Sequence, residues 1–390
     1  MRRIAVPAAL TAAALLLVAG CSEGGPAGRP PADKGSSAPP GEPTGSAVPS
    51  ATTGTKAAPA KGSATVTATV AKDLKSPWGL VALPDGDLLV SSRDEGTLTR
   101  VDAKSGKATA VGRVAGASPA GEGGLMGLAL SPSYATDHQV YAYFTTESDN
   151  RIARMLYDEK RPAGQQLGAA DTVFKGIPKG TVHNGGRIAF GPDKMLYAGT
   201  GETGERGLAQ DPKSLAGKIL RMTPDGQPVH GNPAADSVVY SLGHRNVQGL
   251  AWDEDRRLWA AEFGQDTWDE LNLIEPGKNY GWPEVEGQEH RAGFVDPVAQ
   301  WKTSDASPSG IAFAQGSVWM AGLRGERLWR IPLDGAKPVA APEAFLTEKY
   351  GRLRTVLAPG GAELLVVTNE TDSRGTPEPG DDRILKVRVK

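Results

Sequence analysis

One histidine in the sequence stands in a setting suited to proton transfer. His183 begins the run His183-Asn184-Gly185-Gly186-Arg187, in which the glycines let the backbone come close to a ligand. A histidine in such a loop can accept a proton near neutral pH, which makes it a candidate general base. The residues alone fit a turn histidine that only caps a strand equally well.

A second run combines a guanidinium with side-chain amides. Arg245, Asn246 and Gln248 follow Gly243-His244, just before an apolar segment. This combination suits an anionic, oxygen-rich ligand, because arginine donates several hydrogen bonds in a fixed plane. A salt-bridged corner between two strands would use the same residues.

A third feature is a pair of arginines near the C-terminal end. Arg352 and Arg354 alternate along a predicted strand, so both side chains lie on one face of it. Two positive charges placed this way repel each other unless an anion lies between them. Arg324, in Gly322-Leu-Arg-Gly, is a third cation that can join the pair. A surface-exposed pair is the alternative interpretation.

The fourth feature is an acidic loop. Its four carboxylates fall within a short segment that also contains Gly264 and Gln265: Glu262, Asp266, Asp269 and Glu270. Clustered carboxylates suit a hard cation such as Ca²⁺, which takes six to eight oxygen ligands. A solvated acidic loop explains the same pattern.

A repeated pattern supplies the elements that must position these residues. A small residue precedes a short apolar run, then come a turn with Pro, Asp or Gly and a second apolar run. The six copies begin at Gly79, Gly127, Gly186, Gly249, Gly310 and Thr355. Each copy predicts a β-hairpin, and most are followed by a further strand. The pattern predicts an all-β, six-bladed β-propeller with about four antiparallel strands per blade, rather than a β-sandwich or a stack of small β domains.

The N-terminal region predicts export. Residues 1–20 read as a signal peptide, and Val18-Ala19-Gly20-Cys21 resembles a lipobox, which predicts lipidation of Cys21. An ordinary signal peptide or a membrane anchor with a chance cysteine is the alternative. Residues 21–64 predict a disordered Pro/Gly/Ser/Ala-rich tether, and residues 65–390 the working domain. We therefore expect a protein anchored by lipid on the outer face of the cytoplasmic membrane.

Acidic residues outnumber basic ones in the working domain, which argues against nucleic acid as a partner.

Several uncommon strings occur in one order over most of the working domain. They include His183-x-x-Gly-Arg187, Leu215-Ala-Gly-Lys-Ile-Leu-Arg221, Gly243-His-Arg-Asn-x-Gln-Gly249, Asn279-Tyr-Gly-Trp-Pro283 and Arg352-x-Arg354. In these strings the chain resembles the soluble sugar dehydrogenases that depend on pyrroloquinoline quinone (PQQ), the glucose/sorbosone dehydrogenase family. The similarity is greatest to its aldose sugar dehydrogenase branch. The family fold is a six-bladed propeller, which agrees with the repeats.

The resemblance implies an oxidation of aldose sugars to lactones. It assigns His183 as the base that removes the proton of the anomeric hydroxyl while hydride passes from that carbon to PQQ. It assigns Glu202 as the acid that orients His183. The electrons then leave to an external acceptor, because the sequence has no haem-attachment motif.

The resemblance also implies the positions that hold PQQ and Ca²⁺. The residues matched to the cofactor site are Glu122, Arg245, Asn246, Gln248, Arg324, Arg352 and Arg354. Backbone oxygens near Gly264 and Gln265 would hold a Ca²⁺ that acts as a Lewis acid. A second, structural Ca²⁺ would use Glu270 and the Tyr280 carbonyl, with Asp269 as a further ligand.

The chain departs from the family pattern at a few positions. Glu122 stands where the family often has a glutamine, and its charge would repel the cofactor carboxylates unless it is protonated or ion-paired. Val182 replaces an acid of the glucose dehydrogenases, Glu202 replaces the usual aspartate, and Arg324 replaces a lysine. These departures argue against assuming glucose as the substrate. A Ca²⁺-dependent lactonase-type propeller hydrolase and a non-catalytic cell-surface binding module are the competing functions.

Overall fold

The structure is a computed structural model that describes residues 57–390, and strands make up most of its regular elements. The first strand is β1 (Ala64–Ala71). The predicted signal peptide, Cys21 and the tether up to residue 56 lie outside the described residues. Within the described range, no helix is long and apolar enough to cross a membrane.

Three antiparallel sheets follow β1 along the chain, each with four strands. The first blade contains β2 (Pro77–Ala82), β3 (Leu88–Ser92), β4 (Thr97–Val101) and β5 (Ala108–Arg113). The second contains β6 (Leu125–Leu130), β7 (Gln139–Thr145), β8 (Asn150–Leu156) and β9 (Asp171–Ile177), with the short helix α1 (Tyr134–Asp137) between β6 and β7. The third contains β10 (Ile188–Phe190), β11 (Leu196–Gly199), β12 (Lys218–Met222) and β13 (Val239–Leu242), with a 3₁₀ turn at Arg206–Ala209.

Three further sheets complete the described chain. The fourth blade contains β14 (Val247–Trp252), β15 (Leu258–Glu262), β16 (Trp268–Ile274) and β17 (Ala299–Lys302). The fifth contains β18 (Pro308–Ala314), β19 (Ser317–Gly322), β20 (Arg327–Asp334), β21 (Lys337–Pro338) and β22 (Glu343–Phe345). The sixth contains β23 (Leu353–Gly360), β24 (Glu363–Thr368), β25 (Ile384–Val389) and β1. The predicted six-bladed propeller is confirmed.

The two ends of the described chain meet in the sixth blade. β1 pairs antiparallel with β25, so that Ala64 lies opposite Val389. This pairing closes the ring of blades, because the first strand supplies the outer strand of the last sheet. Residues that the sequence analysis assigns to the end of the tether make contacts of their own. The backbone N–H of Ala58 donates to Leu333 O at 2.9 Å, and Pro59 O accepts from Arg330 at 2.7 Å, so residues before β1 already contact blade five.

Hydrophobic cores lie between neighbouring blades. Leu89 of blade one and Phe144 of blade two belong to one buried cluster, and Leu88 and Ile384 join blade one to blade six. A comparable cluster lies at each of the other blade junctions. The inner strands β6 and β14 are covered by blades on both sides and are buried over nearly their whole length, whereas the outer strand β5 is mostly exposed or half-buried. The loops at the inner strand ends are therefore attached to rigid elements.

Those loops carry the residues singled out in the sequence. Glu122 precedes β6, His183 precedes β10, Arg245 precedes β14, and Arg354 lies in β23. Each of these strands is the first strand of its blade and begins beside the central channel. Residues far apart in the sequence therefore meet at one mouth of the propeller.

Candidate active site

A cavity of about 460 Å³ lies among the blade loops. Most of the predicted site residues line it: Glu122, His183, Arg245, Asn246, Gln248, Gly264, Gln265, Asp269, Arg324, Arg352 and Arg354. Three predicted residues do not line it. Glu202 lies against the ring of His183, while Glu270 is buried in β16 and Tyr280 in the loop between β16 and β17 of blade four.

His183 is held from two sides. Its backbone adopts a left-handed conformation with φ of 52°, and its N–H donates to Oε2 of Glu122 at 3.0 Å. Its ring Nδ1 is hydrogen-bonded to Oε1 of Glu202, whose side chain is only 1% exposed. An ionised carboxylate only accepts, so in the neutral imidazole Nδ1 carries the proton and Nε2 keeps its lone pair. Nε2 has no hydrogen-bond partner within residues 57–390, so it can accept a proton from a molecule in the cavity.

Asp372 is the anion between the two predicted arginines. Its Oδ2 accepts from Nη2 of Arg352 at 3.2 Å and from Nη2 of Arg354 at 2.9 Å. Burial alone would raise the pKa of Asp372, but the charges of Arg354 and Arg352 hold that pKa below its usual range. The repulsion expected from the sequence is therefore relieved in part by a carboxylate of the chain itself.

Three guanidinium donors at the cavity have no acceptor among residues 57–390. The Nε atoms of Arg245, Arg352 and Arg354 are buried and have no partner in the part of the chain that the structure describes. Burial lowers the pKa of Arg354 to about 10, with Arg93 and Arg352 acting in the same direction against Asp372. Arg324 is exposed at the rim and has no ion-pair partner among residues 57–390. Each buried donor without an acceptor costs about 1–3 kcal/mol, so the cavity is suited to a ligand with several negative oxygens.

A loop at residues 264–268 forms one wall of the cavity. Oε1 of Glu286 accepts from the backbone N–H of Gln265 at 2.6 Å and, at 3.2–3.3 Å, from those of the next three residues. The N–H of Gly264 donates to Oδ1 of Asp269, whose Oδ2 accepts from the N–H of Ser307. Both carboxylates thus fix the backbone of the loop.

The acidic loop does not gather its four carboxylates around one point. Asp266 is exposed, and Asp269 accepts backbone N–H groups as described above. Glu262 and Glu270 instead share the Nδ2 of Asn272, at 2.8 and 3.0 Å. Burial and the neighbouring charge of Glu262 raise the pKa of Glu270 to about 8.

The surroundings of these two acids offer further oxygen. Oδ1 of Asn272 is buried and has no partner among the described residues. Nδ1 of His244 is hydrogen-bonded to Oε1 of Glu262, and Nε2 is hydrogen-bonded to Oγ of Ser241. The imidazole ring stacks on the ring of Tyr280 with 4.8 Å between centroids. Over residues 57–390, no group of three or more His, Cys, Asp or Glu side chains has an arrangement that would hold a metal ion by itself. A cation here would need backbone or amide oxygens as well.

The model of the family described as Glucose / Sorbosone dehydrogenase matches residues 74–376. The chain belongs to the glucose/sorbosone dehydrogenase family. It is 31% identical to the aldose sugar dehydrogenase YliI of Escherichia coli, over 79% of this chain and 91% of that protein. It is 28% identical to quinoprotein glucose dehydrogenase B of Acinetobacter calcoaceticus, over 66% of this chain and 62% of that protein.

One solved structure has a higher sequence identity to this chain than these two relatives. The PQQ-bound form of the aldose sugar dehydrogenase of Streptomyces coelicolor is 70% identical and superposes with a TM-score of 0.85, covering 86% of this chain and all of that one. The similarity extends over the whole propeller, so the family assignment does not depend on single motifs.

Reasoning from the sequence missed several cavity residues of this glucose/sorbosone dehydrogenase family member. Trp78, Arg93, Asp372 and Arg374 all line the cavity, and Nη2 of Arg93 donates to Asp372 O at 3.1 Å. A positional signal existed. Arg93 follows β3 and Asp372 follows β24, the second strands of their blades, just as Glu202 follows β11. The ends of second strands reach the same mouth as the starts of first strands.

Proposed function

We propose that this chain is a PQQ-dependent sugar dehydrogenase that oxidises aldoses at the anomeric carbon to lactones. The observation that carries the proposal is one cavity with a carboxylate-oriented histidine on one side and buried guanidinium donors without acceptors on the other. The PQQ-bound relative from Streptomyces coelicolor supports the choice of cofactor. When bound, PQQ supplies a quinone that accepts a hydride.

In this proposal His183 is the general base. Its Nε2 takes the proton of the anomeric hydroxyl as the C–H bond gives up its hydride and the C=O bond forms. Glu202 fixes the proton on Nδ1 and stabilises the imidazolium that develops. The low exposure of Glu202 keeps water away from this hydrogen bond, which strengthens the orientation.

The arginines and amides are proposed to hold the cofactor. Arg245, Arg324, Arg352 and Arg354 would contact carboxylates, with Asn246 and Gln248 as polar neighbours. Glu122 lines the same cavity, and its charge is countered by Arg374, whose Nη2 donates to it at 2.5 Å. This ion pair would offset the repulsion that the sequence predicts between Glu122 and the cofactor carboxylates.

We also propose Ca²⁺ as part of the working enzyme. Backbone oxygens of Gly264 and Gln265 would hold one ion at the cavity wall, where it would act as a Lewis acid. A second ion would use Glu270 and the Tyr280 carbonyl. The close approach of Glu262 and Glu270 around Asn272 supports a cation there, because two buried carboxylates repel each other. Asp269 is the weaker candidate, since both of its oxygens already accept backbone N–H groups.

Export, lipidation of Cys21 and transfer of electrons to an external acceptor belong to the same proposal. They depend on residues 1–56 or on a partner. The test of the anchor is the replacement Cys21→Ala. It is expected to move the enzyme from the membrane fraction to the soluble exported fraction, and an unchanged distribution would contradict lipidation.

Reconstitution tests the catalytic proposal. The purified protein with PQQ and Ca²⁺ is expected to reduce an artificial dye in the presence of an aldose. His183→Ala is expected to bind PQQ normally and to lose at least about 10²-fold in turnover. His230→Ala, which changes an exposed histidine, is the matched control.

Turnover by His183→Ala at the normal rate would remove His183 from the mechanism. Hydrolysis of lactones without PQQ binding would favour the hydrolase, and neither activity would favour a binding module.

A further inference from the structure

Glu122 and Arg374 form an ion pair across the rim of the cavity. Nη2 of Arg374 lies 2.5 Å from Oε1 of Glu122, and the two side chains are 59% and 25% exposed. Glu122 belongs to the loop that enters blade two, and Arg374 to the loop between β24 and β25 of blade six. The pair therefore spans blade one, which stands between them.

The second oxygen of Glu122 holds the backbone of His183. Oε2 accepts from the His183 N–H at 3.0 Å, and the Glu122 N–H donates to Thr181 O at 2.9 Å. A left-handed conformation costs a residue with a Cβ about 1–2 kcal/mol, so His183 needs contacts that maintain its φ of 52°. Glu202 fixes the ring of His183, and Glu122 fixes the peptide from which the ring projects.

Arg374 is itself anchored to the arginine cluster. Its backbone N–H donates to Oδ1 of Asp372 at 3.0 Å, while Oδ2 of Asp372 accepts from Arg352 and Arg354. A continuous series of contacts thus runs from the arginines through Asp372 and Arg374 to Glu122. It ends on the peptide of His183.

We propose that Glu122 is a positioning residue for His183 and that Arg374 orients its carboxylate. The inference depends on the proposed role of His183 as the base. Two functions of Glu122 can be separated chemically. A glutamine retains an acceptor for the His183 N–H but loses the ion pair with Arg374, whereas an alanine loses both.

The test uses the full chain with the substitutions Glu122→Gln, Glu122→Ala and Arg374→Gln. Glu147→Ala is the control, because Glu147 is an exposed acid outside the cavity. Three quantities are measured: kcat and KM of the reconstituted enzyme, the Kd for PQQ, and the downfield proton resonance of the His183 Nδ1–H with and without cofactor. His183→Ala assigns that resonance, and the thermal unfolding midpoint shows that each variant is folded.

Glu122→Ala is expected to lower kcat about tenfold or more while KM and the Kd for PQQ change less than about threefold, because a displaced base loses alignment with its target. The same variant is expected to shift or broaden the Nδ1–H resonance. Glu122→Gln is expected to keep the resonance and most of kcat, and Arg374→Gln to fall between the two.

Other outcomes overturn the inference. If Glu122→Ala matches Glu147→Ala in kcat and in the resonance, Glu122 does not position His183. If both Glu122 variants lose PQQ binding equally and keep the resonance, Glu122 acts on the cofactor instead. If His183→Ala retains turnover, the proposed function fails, while the resonance in the cofactor-free protein still tests the contact from Glu122 to His183.

Discussion

At the scale of single residues, the unpartnered guanidinium donors of the cavity arginines indicate a bound anion. Arg354 is buried, donates to Gln248 and Asp372, and keeps a buried Nε without a partner among the described residues. A protein interior seldom leaves such a donor unsatisfied unless the site is completed by something else. A bound anion that accepts from these arginines would therefore both complete the site and stabilise the folded protein.

Replacement of Arg354 tests whether its guanidinium binds the cofactor. Arg354→Gln removes charge-assisted hydrogen bonds worth about 1.5–3 kcal/mol, so the Kd for PQQ is expected to rise about tenfold or more. Titration of the cofactor-free protein with PQQ measures the change. Arg388→Gln, which alters an exposed arginine on the outer part of blade six, is the control and is expected to bind normally. Equal affinities in the two variants would contradict the assignment of Arg354.

Asp372 provides a pH-dependent prediction. The pKa of Asp372 is lowered in the folded protein, so the stability from its contacts with Arg352 and Arg354 is present above its unfolded pKa of about 4 and is lost as the pH falls further. Asp372→Asn is therefore expected to destabilise the cofactor-free protein at pH 7 by about 3 kcal/mol, the usual cost of breaking a buried ion pair. The difference from the unmodified protein should shrink below pH 4. Denaturant unfolding across this range measures it, and a difference independent of pH would contradict the charge explanation.

At the scale of elements, the loop at residues 264–268 shows how a backbone site is fixed. Four successive N–H groups converge on Oε1 of Glu286, which lies outside the loop. A site that uses backbone oxygens needs such a support, because the loop has no regular hydrogen-bond ladder of its own.

Removal of the support is expected to loosen the site. Glu286→Ala leaves those N–H groups without their acceptor, so the affinity for Ca²⁺ and PQQ should fall about tenfold, in line with the effect of other outer-shell changes. Glu284→Ala changes an exposed acid of the same segment and is the matched control. Calorimetric titration with Ca²⁺ in the presence of PQQ measures both. If the two variants bind alike, the loop does not depend on Glu286.

At the scale of the whole molecule, β1 closes the ring of blades. β1 supplies the fourth strand of blade six, and its pairing with β25 covers an edge that would otherwise be open. The cores between blades one and six, which include Ala71 and Ile384, depend on the same closure.

Truncation tests the closure. A chain that starts at residue 72 loses the hydrogen bonds between β1 and β25, each worth about 1 kcal/mol, and is expected to unfold at least about 5 °C lower than a chain that starts at residue 57. Thermal unfolding followed by circular dichroism compares the two. An equal midpoint would show that the ring is stable without β1.

The sequence by itself determined the architecture. Six copies of one hairpin pattern predicted six blades, because each blade needs the same apolar runs to fill the space between its neighbours. His183, Arg245 and Arg354 were found in the sequence because they occupy starts of repeats or alternate along a strand. Resemblance to the family added Glu202, whose contact with His183 no local pattern encodes.

Only the tertiary structure decided how the loops meet. Arg374 and Glu122 are 252 residues apart, and Asp372 reaches Arg93 over 279 residues. Periodicity predicts that each loop lies at the mouth of the channel, but it does not fix the angle between blades or the side-chain conformations. Those quantities depend on packing around the whole ring. The charge of Glu122 therefore appeared unfavourable in the sequence and is balanced by Arg374 in the fold.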